Sequence, residues 1–145
     1  MPNRTAAQTV IQGMPLQQPG VYAAAFYVQR LEQFNARLGD KIGNELLCLA
    51  AQRIVNALLR PGDQLFRWRG PAFVALLNRG DGLVDVRREV QRVVASRFHF
   101  ELRGGAMLAS IGVDAKVVSV ATACSSAEII QEMEQFFALP GTRAE

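Results

Sequence analysis

Apolar runs and helical repeats alternate along this chain. The run VYAAAFYV (Val21–Val28) is apolar throughout and rich in β-branched and aromatic residues, which predicts a buried strand. The stretch LEQFNARLG predicts a short helix, with Gly39 suited to its end. From Asn44 to Leu59 apolar residues recur every three or four positions. This spacing predicts a long helix that Asn44 caps and that Pro61 and Gly62 end.

The middle of the chain predicts a β-hairpin. QLFRW and AFVALLN are typical of strands, and RGP between them supplies a glycine for positive φ and a proline without an N–H group. A helix from about Leu83 to Ser96 follows, then a strand over FHFEL and one long or two short strands over AMLASIGVDAKVVSV. Ser125 and Ser126 are candidate caps for a last helix that ends at Pro140.

The predicted order is β-α-α-β-β-α-β-β-α. It indicates an α+β fold with a mixed, mostly antiparallel central sheet, a mid-chain hairpin and a cover of helices. Residues 1–20 are polar and contain several Gln and Pro residues, which predicts a flexible arm or the remnant of a linker. Residues 21–139 form the predicted domain, and residues 140–145 a tail.

Composition narrows the class of protein. The 145 residues are half apolar and 20% charged, as in one globular domain, and no run approaches the roughly 20 apolar residues of a membrane span. Two unclustered cysteines, Cys48 and Cys124, indicate reduced thiols of a cytoplasmic protein or of the cytosolic domain of a larger one. The lone His99 lies in a strand and is interpreted as structural. A net charge of +3 suits an anionic small ligand as well as nucleic acid.

Two stretches of the sequence resemble the GGDEF domain of diguanylate cyclases. FNARLGDKIGNELL is similar to the family pattern FK-x-IND-x-x-GH-x-x-GD-x-LL, and the residues in register are Asn35, Gly39, Gly43, Leu46 and Leu47. RWRGPAFVALL is similar to R-x-GGDEF-x-x-LL, and the residues that match are Arg67, Gly70, Phe73, Leu76 and Leu77. SIGV (Ser110 to Val113) matches the late strand of the family, so the resemblance spans residues 21–139.

The departures from the family pattern fall on its catalytic positions. The resemblance implies a reaction that joins two GTP molecules into cyclic di-GMP with Mg²⁺ or Mn²⁺, a reaction that depends on metal and electrostatic positioning. The two positions that would supply metal carboxylates are Tyr27 and Pro71, and the next acidic position is Ala72. Gly70 is retained, but Arg69 replaces the first glycine of the motif, where the backbone approaches the nucleotide.

The positions that would bind the nucleotide are eroded too. Of the pair that reads guanine in the family, Asn35 is retained, whereas an aspartate has become Asn44 and lacks the charge that strengthens such contacts. From Val117 to Thr142 there is no Lys or Arg, although the family holds the triphosphate there with cations. The resemblance therefore implies an inactive domain that needs no Mg²⁺ and no cofactor.

One nucleotide motif is intact. In active members an R-x-x-D before the signature strand, the inhibitory site, binds cyclic di-GMP, and its register here falls on Arg60 and Asp63. A guanidinium fork suits a phosphodiester or the edge of guanine, and a carboxylate accepts from guanine N–H groups. The resemblance implies a second arginine on the following helix, for which Arg92 is the first candidate and Arg88 the alternative. R-P-G-D is also ordinary turn chemistry, with Arg60 beside a helix C-terminus.

Three functions follow as hypotheses. The first is a receptor that binds cyclic di-GMP in bacterial signalling, as a homodimer or with a signalling partner. The second is an interaction or dimerisation module that uses no nucleotide, and the third is a regulatory domain with residual GTP binding. Nucleic acid is not expected as a partner, because arginines around Trp68 are typical of a solvated hairpin. Phe136 and Phe137 are expected in the core, unless an exposed Phe137 marks a partner surface.

Overall fold

The computed structural model describes residues 2–15, 19–80, 82–102, 105 and 107–138. Its strands are β1 (Val21–Val28), β2 (Gln64–Arg69), β3 (Ala72–Asn78), β4 (Phe98–Leu102), β5 (Met107–Ile111) and β6 (Val113–Ser119). Its helices are α1 (Arg4–Gly13), α2 (Leu31–Leu38), α3 (Asp40–Leu58), α4 (Leu83–Val94) and α5 (Ser126–Ala138). A 3-10 turn, Val120–Thr122, lies between β6 and α5.

The strands form two antiparallel sheets. Four strands pair in the order β2-β3-β1-β6, and β4 and β5 form a separate two-stranded ribbon. The α+β class and the central hairpin are confirmed, but the prediction of a single mixed sheet is wrong. The run AMLASIGVDAKVVSV divides at Gly112, where a Cβ added to the glycine would collide with Gln29 Oε1. The close contact between Gln29 and Gly112 marks where the chain leaves the ribbon and joins β1.

β1 is buried on both faces, as its continuous apolar run predicts. Alternate β1 residues such as Phe26 pack into a core layer that the four-stranded sheet shares with α2, α3, α4 and the ribbon. The intervening residues, such as Ala25, face a second layer that contains side chains of α1 and α5. Phe136 and Phe137 are buried in this second layer, which confirms their core assignment.

The predicted flexible arm is wrong for the part that the structure describes. Asn3 caps α1 by accepting from the Ala6 N–H group at 3.0 Å. Ala7 and Ile11 are fully buried in the second core layer, because they lie one turn apart on one face of the helix. In the described ranges no helix has both the length and the apolar character needed to span a bilayer.

The capping predictions have mixed outcomes. Asn44 does not cap α3, because that helix begins at Asp40, directly after Gly39 with its positive φ of 92°. Ser125 does cap α5, since its Oγ accepts from the Glu128 N–H group at 3.1 Å. The predicted tail at residues 140–145, with its Gly141, lies outside the described residues, and so does Pro140.

Candidate functional site

The β2–β3 hairpin tip lies beside the end of β1. The register of the sheet places Tyr27 opposite Ala72, and the Val28 N–H group donates to the Pro71 carbonyl at 2.9 Å. Gly70 turns the chain with a φ of 43°. The structure therefore brings together Tyr27, Pro71 and Ala72, the three positions at which the resemblance implies acidic residues.

These three side chains offer no metal ligand of the kind that Mg²⁺ prefers. They are a phenol, a pyrrolidine ring and a buried methyl group. On the other side of β1, Asp114 of β6 lies opposite Tyr27, and its Oδ1 accepts from Gln29 Nε2 at 2.9 Å. In the part of the chain that the structure describes, no group of three or more His, Cys, Asp and Glu side chains could hold a metal ion.

Trp68 anchors the hairpin to α5. Its Nε1 donates to Glu134 Oε1 at 2.6 Å, and its ring lies 6.3 Å from the Phe137 ring and 5.1 Å from the Arg4 guanidinium carbon. Glu134 also accepts from Arg4 Nη2 at 2.8 Å and lies 4.0 Å from Arg69 Nη2. The interpretation of this strand as a solvated hairpin is wrong for Trp68, which is 3% exposed. Glu134 of α5 thus places a carboxylate beside the hairpin, in contact with Trp68, Arg4 and Arg69.

The two guanine positions lie on neighbouring helices. Asn35 of α2 packs directly against α3, and a Cβ added to Gly43 would collide with Asn35 Oδ1. That oxygen is buried and has no hydrogen-bond donor among the described residues. Asn44 is exposed on α3.

Arg60 and Asp63 lie in the turn that joins α3 to β2. The Asp63 N–H group donates to the Arg60 carbonyl, and the Arg60 N–H group donates to Asp63 Oδ2, both at 2.9 Å. Asp63 Oδ1 accepts from the Asn78 N–H group at 2.9 Å. The carboxylate therefore closes the turn and ties it to the end of β3.

The Asp63 carboxylate forms an ion pair with a buried arginine, Arg79, which the sequence alone did not indicate. Arg79 Nη1 donates to Asp63 Oδ2 at 2.6 Å, and the two side chains are 0% and 1% exposed. The same guanidinium donates to Glu89 Oε1 at 3.0 Å and to the Leu58 carbonyl at 2.8 Å. Asp63 is thus a buried structural acceptor, inaccessible to a ligand in this arrangement.

The Asp63–Arg79 pair is charged. Burial alone would raise the pKa of Asp63, but the N–H groups of Asn78 and Arg60 and the Arg79 guanidinium together hold that pKa below its ordinary value. Burial alone would lower the pKa of Arg79, but its hydrogen bonds with Asp63 and Glu89 raise it instead. Each partner favours the ionised form of the other.

Arg60 is the accessible member of the R-x-x-D motif. Its side chain is 55% exposed, and its Nη2 donates to Glu89 Oε2 on α4 at 3.2 Å. Arg92 is exposed and lies three residues after Glu89, one helical turn further on that face. Arg92 makes no hydrogen bond or ion pair with Arg60 or Asp63. The alternative candidate, Arg88, lies near a different carboxylate, with its Nη1 3.8 Å from Asp85 Oδ1. The structure thus unites Arg60 and Asp63 at α4 but leaves Arg92 unconnected to them.

The chain resembles known proteins in sequence and in fold. The family model "Diguanylate cyclase, GGDEF domain" matches residues 2–136. The fold is similar to the GGDEF domain of YfiN from Pseudomonas aeruginosa, with 22% identity and a TM-score of 0.79 over 93% of this chain and 86% of that one. It is also similar to the GGDEF domain of DgcB from Caulobacter crescentus in complex with cyclic di-GMP, with 16% identity and a TM-score of 0.78 over 97% and 84%.

A third solved structure is a diguanylate cyclase bound to a protein. SiaD from Pseudomonas aeruginosa, in complex with its activator SiaC, is 20% identical, with a TM-score of 0.73 over 93% of this chain and 53% of that one. No curated protein sequence matches the chain.

Proposed function

The chain belongs to the GGDEF domain family, and we propose that it is a non-catalytic member that acts in signalling by binding. The observation that carries this proposal is the juxtaposition of Tyr27, Pro71 and Ala72 at the hairpin tip. Phosphoryl transfer to a nucleotide hydroxyl depends on metal ions that neutralise and position the phosphates. A site without carboxylates at these positions offers no protein ligand of the kind that binds the metal ion of a triphosphate.

The purified chain is expected to form no cyclic di-GMP from GTP. Incubation with Mg²⁺ or Mn²⁺, followed by chromatography and mass spectrometry of the nucleotides, measures this directly. An active diguanylate cyclase serves as the positive control. Metal-dependent product would contradict the proposal, provided that the Asn35→Ala chain, prepared in the same way, loses it and so excludes a contaminating cyclase.

Cyclic di-GMP at Arg60 is the ligand that we propose for this domain. Arg60 stands in register with the R-x-x-D arginine of the family, is half exposed and is held only by a surface ion pair with Glu89. Exposed ion pairs contribute little stability, so Arg60 can leave Glu89 for a phosphodiester or a guanine edge at small cost. Arg92 lies one turn beyond Glu89 and is the second candidate contact. In this form of the proposal Asp63 shapes the turn and does not touch the ligand.

Binding is expected to depend on Arg60. In isothermal titration with cyclic di-GMP, Arg60→Ala should weaken binding by roughly tenfold or more, because a charge-assisted hydrogen bond is worth about 1.5–3 kcal/mol. Arg87→Ala removes the same charge from an exposed position on α4 and is the matched control. No heat at tens of micromolar protein, or equal affinity in both variants, would refute the receptor. Asp63→Ala is unsuitable, because it leaves Arg79 buried without its partner.

An interaction module without a nucleotide is the second candidate, and the buried Asp63–Arg79 pair favours it. Half of the R-x-x-D motif is already used inside the domain. This candidate is supported if cyclic di-GMP gives no heat and the chain elutes from a sizing column as a stable dimer or partner complex. A saturable titration that requires Arg60 decides for the receptor.

A further inference from the structure

We propose that a cleft between α2 and the β4–β5 ribbon binds a small organic anion with an apolar body. The cleft has a volume of about 570 Å³, which lies within the range of ligand sites. None of its described lining residues belongs to the hairpin tip or to the R-x-x-D turn. The inference therefore does not depend on the function proposed above.

The cleft carries positive charge that no acidic side chain of the described residues neutralises. Arg30, Arg37 and Arg97 line it, and none of the described lining residues is acidic. Arg97 donates from Nε to Ser110 Oγ and from Nη2 to the Ser110 carbonyl, both at 2.9 Å, so its Nη1 keeps donor capacity. The side chains of Arg30 and Arg37 make no hydrogen bond or ion pair with any residue that the structure describes. Such guanidinium groups are suited to a carboxylate, sulfonate or phosphate.

The same cleft carries an apolar surface. Phe34 and Leu38 lie one turn apart on α2, and Met107 and Ile111 of β5 also line the cleft. Leu108 also lines it and is 79% exposed, the highest value among the exposed large apolar side chains of the described chain. Inorganic phosphate would use only the arginines, whereas an anion with an alkyl or aromatic body would also cover these side chains.

Part of the wall is fixed before any ligand arrives. The Gln29 N–H group donates to the Gly112 carbonyl at 2.9 Å, and Gln29 Nε2 donates to Asp114 at 2.9 Å. The two bonds from Arg97 hold β5 in the same way. Arg30 has a φ of 60°, a left-handed conformation that is costly for a residue with a side chain and that recurs at binding and active sites. A preformed site loses less entropy on binding than a mobile one.

The test uses 8-anilinonaphthalene-1-sulfonate, an aromatic sulfonate that fluoresces when it leaves water. We expect saturable binding of one probe per chain, displaced by decanoate but not by decanol or by inorganic phosphate, since both the anion and the apolar body are needed. Arg37→Gln should lower the affinity for the probe by about tenfold or more. The matched control is Arg87→Gln on α4, which removes one exposed helical charge away from the cleft and should leave affinity unchanged.

The remaining outcomes would overturn the proposal. Fluorescence that does not saturate indicates unspecific adsorption. If Arg37→Gln and Arg87→Gln bind the probe with equal affinity, the probe binds outside the cleft. Displacement by decanol as strongly as by decanoate removes the role of the arginines. Because Arg37 is exposed and unpaired among the described residues, its replacement leaves folding intact, which circular dichroism of both variants verifies.

Discussion

Replacement of Arg79 by methionine is expected to lower the free energy of unfolding by about 3–5 kcal/mol, the range for breaking a buried ion pair. Methionine fills much of the volume but leaves the Asp63 carboxylate buried without its charged partner. The Leu58 carbonyl also loses its Arg79 donor. Urea denaturation at neutral pH, followed by circular dichroism, measures the change from the shift of the midpoint.

The same pair predicts how stability depends on pH. Because the pKa of Asp63 is lower in the folded protein than in the unfolded chain, its contribution is complete above the unfolded value of about 3.9. That contribution is lost as the pH falls through the lower folded pKa. Without Arg79 the carboxyl group loses a cause of this lowering, so the acid unfolding midpoint of Arg79→Met should move to higher pH.

Arg88→Met is the control for Arg79. Arg88 is two-thirds exposed and lies 3.8 Å from Asp85, so its loss should change stability by less than about 1 kcal/mol. A similar loss in both variants, or a loss below about 1 kcal/mol in Arg79→Met, would show that the pair is not buried in solution.

Replacement of Trp68 by alanine is the other large effect, with an expected loss of about 3–5 kcal/mol. Trp68 packs against Phe137, lies beneath Arg4 and donates to Glu134, so its removal opens a cavity among β2, α1 and α5. Because Trp68 is the only tryptophan, unfolding must be followed by circular dichroism in this variant.

Trp68→Phe separates the hydrogen bond from the packing. Phenylalanine keeps an aromatic ring but cannot donate to Glu134, so only part of the stability lost in Trp68→Ala should return. The remaining deficit should be about 1.5–3 kcal/mol, as for a bond to a charged group. If Trp68→Ala costs less than about 1 kcal/mol, the ring is solvated, as the arginines around it first suggested.

Local patterns were enough to predict much of the fold. The apolar run of β1 indicated burial on both faces, and the periodicity that ends before Pro61 indicated most of α3. The β2–β3 hairpin could be predicted because Gly70 and Pro71 are turn residues between two apolar runs. These features depend on residues close together in the sequence, so the local sequence is enough to predict them.

Features that depend on distant partners could not be predicted. α1 is short, and its burial depends on β2 and α5, which the sequence of residues 1–20 does not reveal. Arg79 follows directly on β3 and reads as a surface residue, because nothing local shows that Asp63 and Glu89 will surround it. For the same reason the R-x-x-D spacing located Arg60 and Asp63 but not the different exposure of their side chains.

The contact between the first residues and β2 has a consequence for self-association. β2 is an edge strand, and unpaired N–H and C=O groups on such an edge invite the strands of other molecules. The Pro2 carbonyl accepts from the Arg67 N–H group at 2.8 Å, and α1 continues along the same strand. The N-terminal segment thus covers part of the β2 edge and hinders the pairing of β2 with strands of other molecules, the step from which aggregates grow.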